Sequence, residues 1–277
     1  MRKQAILLVT VLLAACAITP SAGKTSFGDA TDGGGRMMEA AVEGQLEKIR
    51  SLLDRGTDID ARDKTGRTGL MWAALMGWPE AAELLIENGA DVNAKGADGN
   101  TVLMDAAIAC RLEIVKLLIN KGADIHARDR RGDTCLNVAA MRGNVEVVKH
   151  LVEKGADVNV RSHNGMTPLS DASYMGNLEV ARYLIEKGAD VDLKDGVTAL
   201  MWASKNGNLE VVRFLIEKGA DVNACVLWGV TPLTMASGNS RSDVVSLLKA
   251  HGAESSLLGQ VITKLLLVLM ERTGRNQ

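Results

Sequence analysis

The sequence predicts an all-α solenoid, a row of short helix pairs stacked side by side, and three observations carry that expectation. A Gly-Ala-Asp-Val-Asn pentad at Gly89 recurs in related form at Gly56, Gly122, Gly155, Gly188, Gly219 and Gly252, with successive gaps of 33, 33, 33, 33, 31 and 33 residues. A second mark, Gly-x-Thr-x-Leu, begins at Gly66, Gly99, Gly132, Gly165, Gly196 and Gly229 and takes the same 31-residue step between its fourth and fifth copies. Four Trp, two Tyr and two Phe are the only aromatics among 277 residues, against 28 Gly. A single large aromatic-centred core is therefore not expected, and small units sharing an aliphatic interior are.

One unit, residues 63–95, shows why each element forms. Asp63-Lys64-Thr65-Gly66-Arg67 is turn chemistry, and Thr68 stands where a helix N-cap belongs, its hydroxyl able to accept a backbone N–H. The spacing predicts a first helix from Gly69 to about Met76, closed by Gly77. Pro79 opens the second helix, where its missing N–H has no intrahelical partner to lose. Ala82, Leu84, Leu85 and Ile86 make that helix apolar, and Gly89 ends it. Helices of two or three turns are marginal alone in water, so each unit must be held by its neighbours. The small pairs Ala73-Ala74, Ala106-Ala107 and Ala139-Ala140 let first helices approach closely, and Leu84-Leu85, Leu117-Leu118 and Leu247-Leu248 fill the layer of second helices.

Turn, Thr-x-Leu, Ala-Ala, Gly, a Leu-rich helix and Gly-Ala-Asp-Val-Asn at 33-residue spacing resemble the ankyrin repeat. The resemblance runs from about Met37 to Ser256, as six full units after an atypical partial first unit, Met37 to Arg62. It departs in several places: the His that usually follows Thr-Pro-Leu is replaced by Met71, Met104, Asn137, Ser170, Met201 and Thr234, and the Pro survives only as Pro168 and Pro232. The usual imidazole-to-Thr bond is thus not expected. Cys110 and Ser240 stand in for the Gly between helices, and the Cys110 unit should be slightly less stable for it.

The ends divide the chain into 1–15 as leader, 16–35 as tether, 36–256 as repeats and 257–277 as a capping helix and tail. Arg2-Lys3 followed by the 11-residue run Ala5 to Ala15 has the make-up of a secretory leader, too short to remain as a membrane span. Leu13-Ala14-Ala15-Cys16 resembles the lipobox of bacterial lipoproteins, which implies cleavage before Cys16 and lipid on its thiol. An ordinary cut after Ala17 would discard Cys16 instead. Ala17 to Gly35 is mostly Ala, Ser, Thr, Gly and Asp with almost nothing apolar, and as a coil has a reach of about 25 Å. Ser255-Ser256 is placed to cap a last helix in which Leu258, Val261, Ile262, Leu265 and Leu269 share a face. That helix reads as a lid on the final unit, with membrane or partner binding as the alternative.

Chemistry is sparse. The formal charge of −2 leaves no basic footprint for nucleic acid. His126, His150, His163 and His251 occupy different phases of the repeat and make no metal-ligand spacing, and no nucleophile or phosphate-loop motif occurs, so no catalytic residue, metal or cofactor is expected. Asp91, Asp124, Asp157, Asp190 and Asp221 recur at the repeat spacing and read as turn residues. Cys110 and Cys135 should lie too far apart for a disulfide, leaving free thiols.

What the resemblance implies about function is recognition on the concave side, by finger tips and the exposed face of the first helices. Carried over position by position, it marks Trp72, Leu75, Met76, Ile108, Met141, Tyr174, Met175, Trp202, Leu227 and Trp228, with Asp105, Val138, Asp171, Lys205, Arg67 and Arg131 among their neighbours. An apolar, Met-rich face suits a protein segment, although the two helix Trp residues could instead simply pack on adjacent first helices. The expectation is a non-enzymatic, monomeric module, exported to a bacterial periplasm or envelope, held to the membrane through Cys16 and binding a protein partner. The alternative is a secreted effector or toxin-neutralising protein.

Overall fold

The computed structural model describes residues 33–192, 196–226 and 229–254. Within them the chain forms fourteen α-helices and no strand beyond two isolated bridges, Lys95 to Thr101 and Val226 to Val230. The first helices of successive pairs are α1 (Gly33–Glu43), α3 (Gly69–Met76), α5 (Val102–Ile108), α7 (Cys135–Arg142), α9 (Pro168–Met175), α11 (Ala199–Asn206) and α13 (Pro232–Gly238). Their partners are α2 (Leu46–Asp54), α4 (Pro79–Glu87), α6 (Leu112–Asn120), α8 (Val145–Glu153), α10 (Leu178–Glu186), α12 (Leu209–Glu217) and α14 (Ser242–Ala250). Each helix packs on its pair mate and on the equivalent helix of the units before and after it, the arrangement of a solenoid.

The local rules operate as the residue types dictate. Thr68, Thr101, Thr167 and Thr198 each accept a hydrogen bond from the backbone N–H three residues on, at 3.2–3.3 Å. Gly77 takes the left-handed conformation at φ 90° that ends α3. The same bend at Cys110 and Ser240, at φ 58° and 56°, is imposed on residues with a Cβ. First helices pack more extensively on one another than second helices do, because Ala73, Ala74, Ala106, Ala107, Ala139 and Ala140 are fully buried between them. Leu85, Leu118, Leu151, Leu184, Leu215 and Leu248 fill the interior behind, each worth about 1.5–3 kcal/mol when removed from water.

Directional bonds then tie each unit to the next. Asn93 Nδ2 donates to Gly122 O at 3.3 Å and its Oδ1 accepts from Asp124 N at 2.8 Å. Asn159 repeats this with Gly188 and Asp190, and Asn223 with Gly252 and Glu254. At the matching position Asp192 accepts from Asp221 N at 2.8 Å but has no amide to donate. Neither bond forms at His126, among the described residues. On the fingers Arg62 Nη1 donates to Lys95 O at 2.6 Å, Lys95 Nζ to Arg128 O at 3.1 Å and Arg128 Nη1 to Arg161 O at 2.7 Å. A further set caps the carbonyl ends of the first helices from the following unit. Trp78 Nε1 donates to Val42 O at 2.9 Å, Asn177 Nδ2 to Ala140 O at 2.9 Å and Asn208 Nδ2 to Ser173 O at 2.8 Å.

Two expectations need correction. The first unit is a full helical pair, and α1 begins at Gly33, so Gly33-Gly34-Gly35 belongs to a helix and not to the tether. Glycine is a poor helix former, but buried Met37 and Met38 anchor the following turn, and Gly33 has no Cβ to crowd the Thr57 side chain. The leader, Cys16, the rest of the tether and the C-terminal segment 257–277 lie outside the described residues. Where the usual His is missing, polar replacements rebuild a local bond: Thr134 Oγ1 donates to Asn137 Oδ1 at 2.9 Å, and Thr167 Oγ1 and Ser170 Oγ are 3.1 Å apart. Met71, Met104 and Met201 fill that position with apolar volume and are fully buried.

Candidate functional site

The carboxylates that recur at the repeat spacing are spent inside their own turns. Asp91 Oδ1 accepts from Asn93 N at 2.9 Å, Asp124 Oδ1 from His126 N at 2.8 Å and Asp221 Oδ1 from Asn223 N at 2.8 Å. Among the described residues no group of three or more His, Cys, Asp or Glu is arranged to hold a metal ion. Cys110, Cys135 and Cys225 are free thiols, with Cys135 buried and its thiol pushed far up by desolvation. The surface left to consider is the outward side of α3, α5, α7, α9 and α11 with the adjoining fingers.

Helical spacing and the repeat place side chains on this face in rows. Trp72, Asp105, Val138, Asp171 and Trp202 form one row, and Leu75, Ile108, Met141, Tyr174 and Lys205 the next. Trp72, Leu75, Met76, Ile108, Tyr174 and Trp202 are half-buried, and Met175 is 47% exposed. Met141, 8% exposed, is a correction: with Val138 it is buried and supports the face from beneath without offering surface. Leu227 and Trp228 lie outside the described residues.

Under the apolar groups runs a polar layer that pattern alone did not reveal. Trp72 Nε1 donates to Asp63 Oδ2 at 2.8 Å, and the Arg67 guanidinium lies 5.8 Å from the Trp72 ring centroid. Arg67 also reaches Asp98 at 3.2 Å and Asp105 at 3.4 Å. Burial alone would raise Asp63, but hydrogen bonds from Thr65, Arg67 and Trp72 outweigh it and hold the carboxyl below its usual range. Asp105 has the opposite balance: it is fully buried, and desolvation lifts it to about 7 against the pull of Arg67. Farther along, Arg131 Nε lies 3.0 Å from Asp129 and 3.1 Å from Asp133. Asn137 Nδ2 donates to buried Asp171 at 2.9 Å, and burial keeps that carboxyl well above the ordinary value.

The α9–α11 end differs in sign. The Tyr174 and Trp202 rings meet edge to face at 5.4 Å, and the Lys205 ammonium lies 5.0 Å from the Trp202 centroid and 6.0 Å from that of Tyr174. Trp202 thus packs on the neighbouring first helix through Tyr174, whereas Trp72 is held by Asp63 and Arg67 of its own finger, and both are half-buried. Trp78, 43% exposed, was not singled out in the sequence; its indole covers Gly44 and belongs to the caps between units. The partnership of Tyr174 with Lys205 was available from arithmetic, since the two differ by the 31-residue step of the short unit.

These surfaces sit on a scaffold whose identity the comparisons settle. No curated protein matches the chain. A family model described as ankyrin repeats matches in three copies, at residues 37–129, 122–195 and 191–257. Matched over most of its length and built as stacked helix pairs, the chain belongs to the ankyrin-repeat family of protein-protein interaction modules.

Proposed function

We propose that the protein binds a protein partner on the outward face of its first helices, as a non-enzymatic module exported and held to a bacterial envelope membrane by lipid on Cys16. The observation that carries the binding reading is the set of half-open apolar side chains, Trp72, Ile108, Tyr174, Met175 and Trp202, on helices braced by buried polar bonds. A surface fixed in this way loses little side-chain freedom on association, which favours affinity. Anchoring rests on the run Leu13-Ala14-Ala15-Cys16 behind its leader. No helix among the described residues is long and apolar enough to cross a membrane.

Affinity capture from envelope extracts, comparing the native chain with Trp72→Ala plus Trp202→Ala, tests the face. Loss of the captured partner is expected, and equal recovery would refute the assignment. Mass spectrometry of the mature amino terminus tests the anchor: an unmodified chain beginning at Ile18 would remove it. Release into the medium in place of retention with membranes would favour the secreted effector.

A further inference from the structure

We propose that the α9–α11 end of the first-helix face receives a partner segment in which an Asp or Glu side chain stands beside a large apolar one. The inference rests on the face being the binding surface and adds the chemistry of what that surface selects.

Lys205 carries the inference. It is half-buried above the Trp202 and Tyr174 rings and makes no ion pair with any described carboxylate. Two other cations of the face are matched inside the protein, Arg67 by Asp98 and Asp105 and Arg131 by Asp129 and Asp133. Burial lowers the pKa of Lys205, with no neighbouring charge acting against it. Ring faces stabilise an ammonium only in part, so its open side retains an unanswered charge in a setting drier than bulk water. A partner carboxylate placed there forms an ion pair strengthened by that setting. Met175, Tyr174 and the open part of Trp202 take the adjoining apolar group, and the thioether of Met175 adapts to its shape.

The geometry favours an internal acidic side chain over a chain terminus. Terminal carboxylates are captured by concave sets of backbone N–H groups. Lys205 stands in the last turn of α11, where the N–H of Gly207 is already bonded to Ala203 O at 3.0 Å and Lys205 O accepts from Arg241.

The test is selection of binders from a displayed library of random dodecapeptides against the full chain, alongside Lys205→Glu and Lys205→Met. The wild type is expected to enrich Asp or Glu next to Trp, Phe or Leu, and Lys205→Glu to enrich Lys or Arg at that place. Lys205→Met keeps an apolar stem over the rings, so its circular dichroism should match the wild type while acidic peptides bind about tenfold more weakly or worse. Binders that need Trp202 but show no acidic preference, or keep it against Lys205→Glu, overturn the inference and leave the face standing. Binders indifferent to Trp72→Ala plus Trp202→Ala overturn both readings, as does a library that yields none.

Discussion

Asn137 and Asp171 meet beneath the first-helix face, the amide of one donating to the carboxyl of the other at 2.9 Å across the step from α7 to α9. Asn137 also accepts from the backbone N–H and hydroxyl of Thr134, at 3.1 and 2.9 Å, so one side chain joins a helix cap to a buried acid in the next unit. Asn137→Ala leaves both without a partner and should cost about 2–4 kcal/mol. Asp171→Asn keeps the shape and ends the titration, and should cost less than about 1 kcal/mol. Urea midpoints at pH 7 decide this; an Asn137→Ala midpoint equal to wild type would refute it.

Asp105 gives stability a pH dependence of defined sign. Its carboxyl titrates near 7 in the fold, against 3.8 for an unperturbed group, so the folded state holds this proton more tightly than the unfolded chain. The contribution is complete below about pH 4 and fades as pH rises toward 7. Asp105→Asn should flatten the decline between pH 4 and 8 by at most about 4 kcal/mol. Asp133 and Asp171, shifted the same way by burial, leave a residual slope. Denaturation at several pH values, with an unchanged slope in Asp105→Asn, would count against the assignment.

The missing rung at His126 can be rebuilt. His126→Asn places an amide where Asn93 and Asn159 each bond to the following unit, and should add about 0.5–1.5 kcal/mol. A thermal midpoint that does not rise would mean the backbone there is set differently from its neighbours.

Cys110 and Ser240 hold left-handed bends that suit glycine. Cys110→Gly and Ser240→Gly should each stabilise by roughly 0.5–1 kcal/mol, since relief of the Cβ contact exceeds the added freedom of the unfolded chain. Differential scanning calorimetry measures the effect, and a fall in midpoint for both would show the bends to be unstrained.

Almost all of the fold was legible because the repeat fixes it twice over. Thr68, Gly77 and Pro79 placed the ends of α3 and the start of α4 to the residue, each through a local rule that needs no neighbour. The site was legible only as rows. Trp72 and Trp202 could be placed on the outward side by period, but the depth of Met141 depends on what packs over it from adjacent units. The union of Arg67 with Asp105, 38 residues apart, depends on how far a finger leans toward the following helix. At Gly33 propensity misled, because tertiary anchoring through Met37 and Met38 overrides a glycine's reluctance to be helical.

The bonds of Asn93, Asn159, Asn223 and the finger cations each join a unit to the one after it, so tension would reach the units in series. Pulled by its two ends, the chain should surrender them one at a time, each release of 33 residues lengthening it by roughly 100 Å. The 31-residue member and the His126 junction are the places where that staircase should show an uneven step.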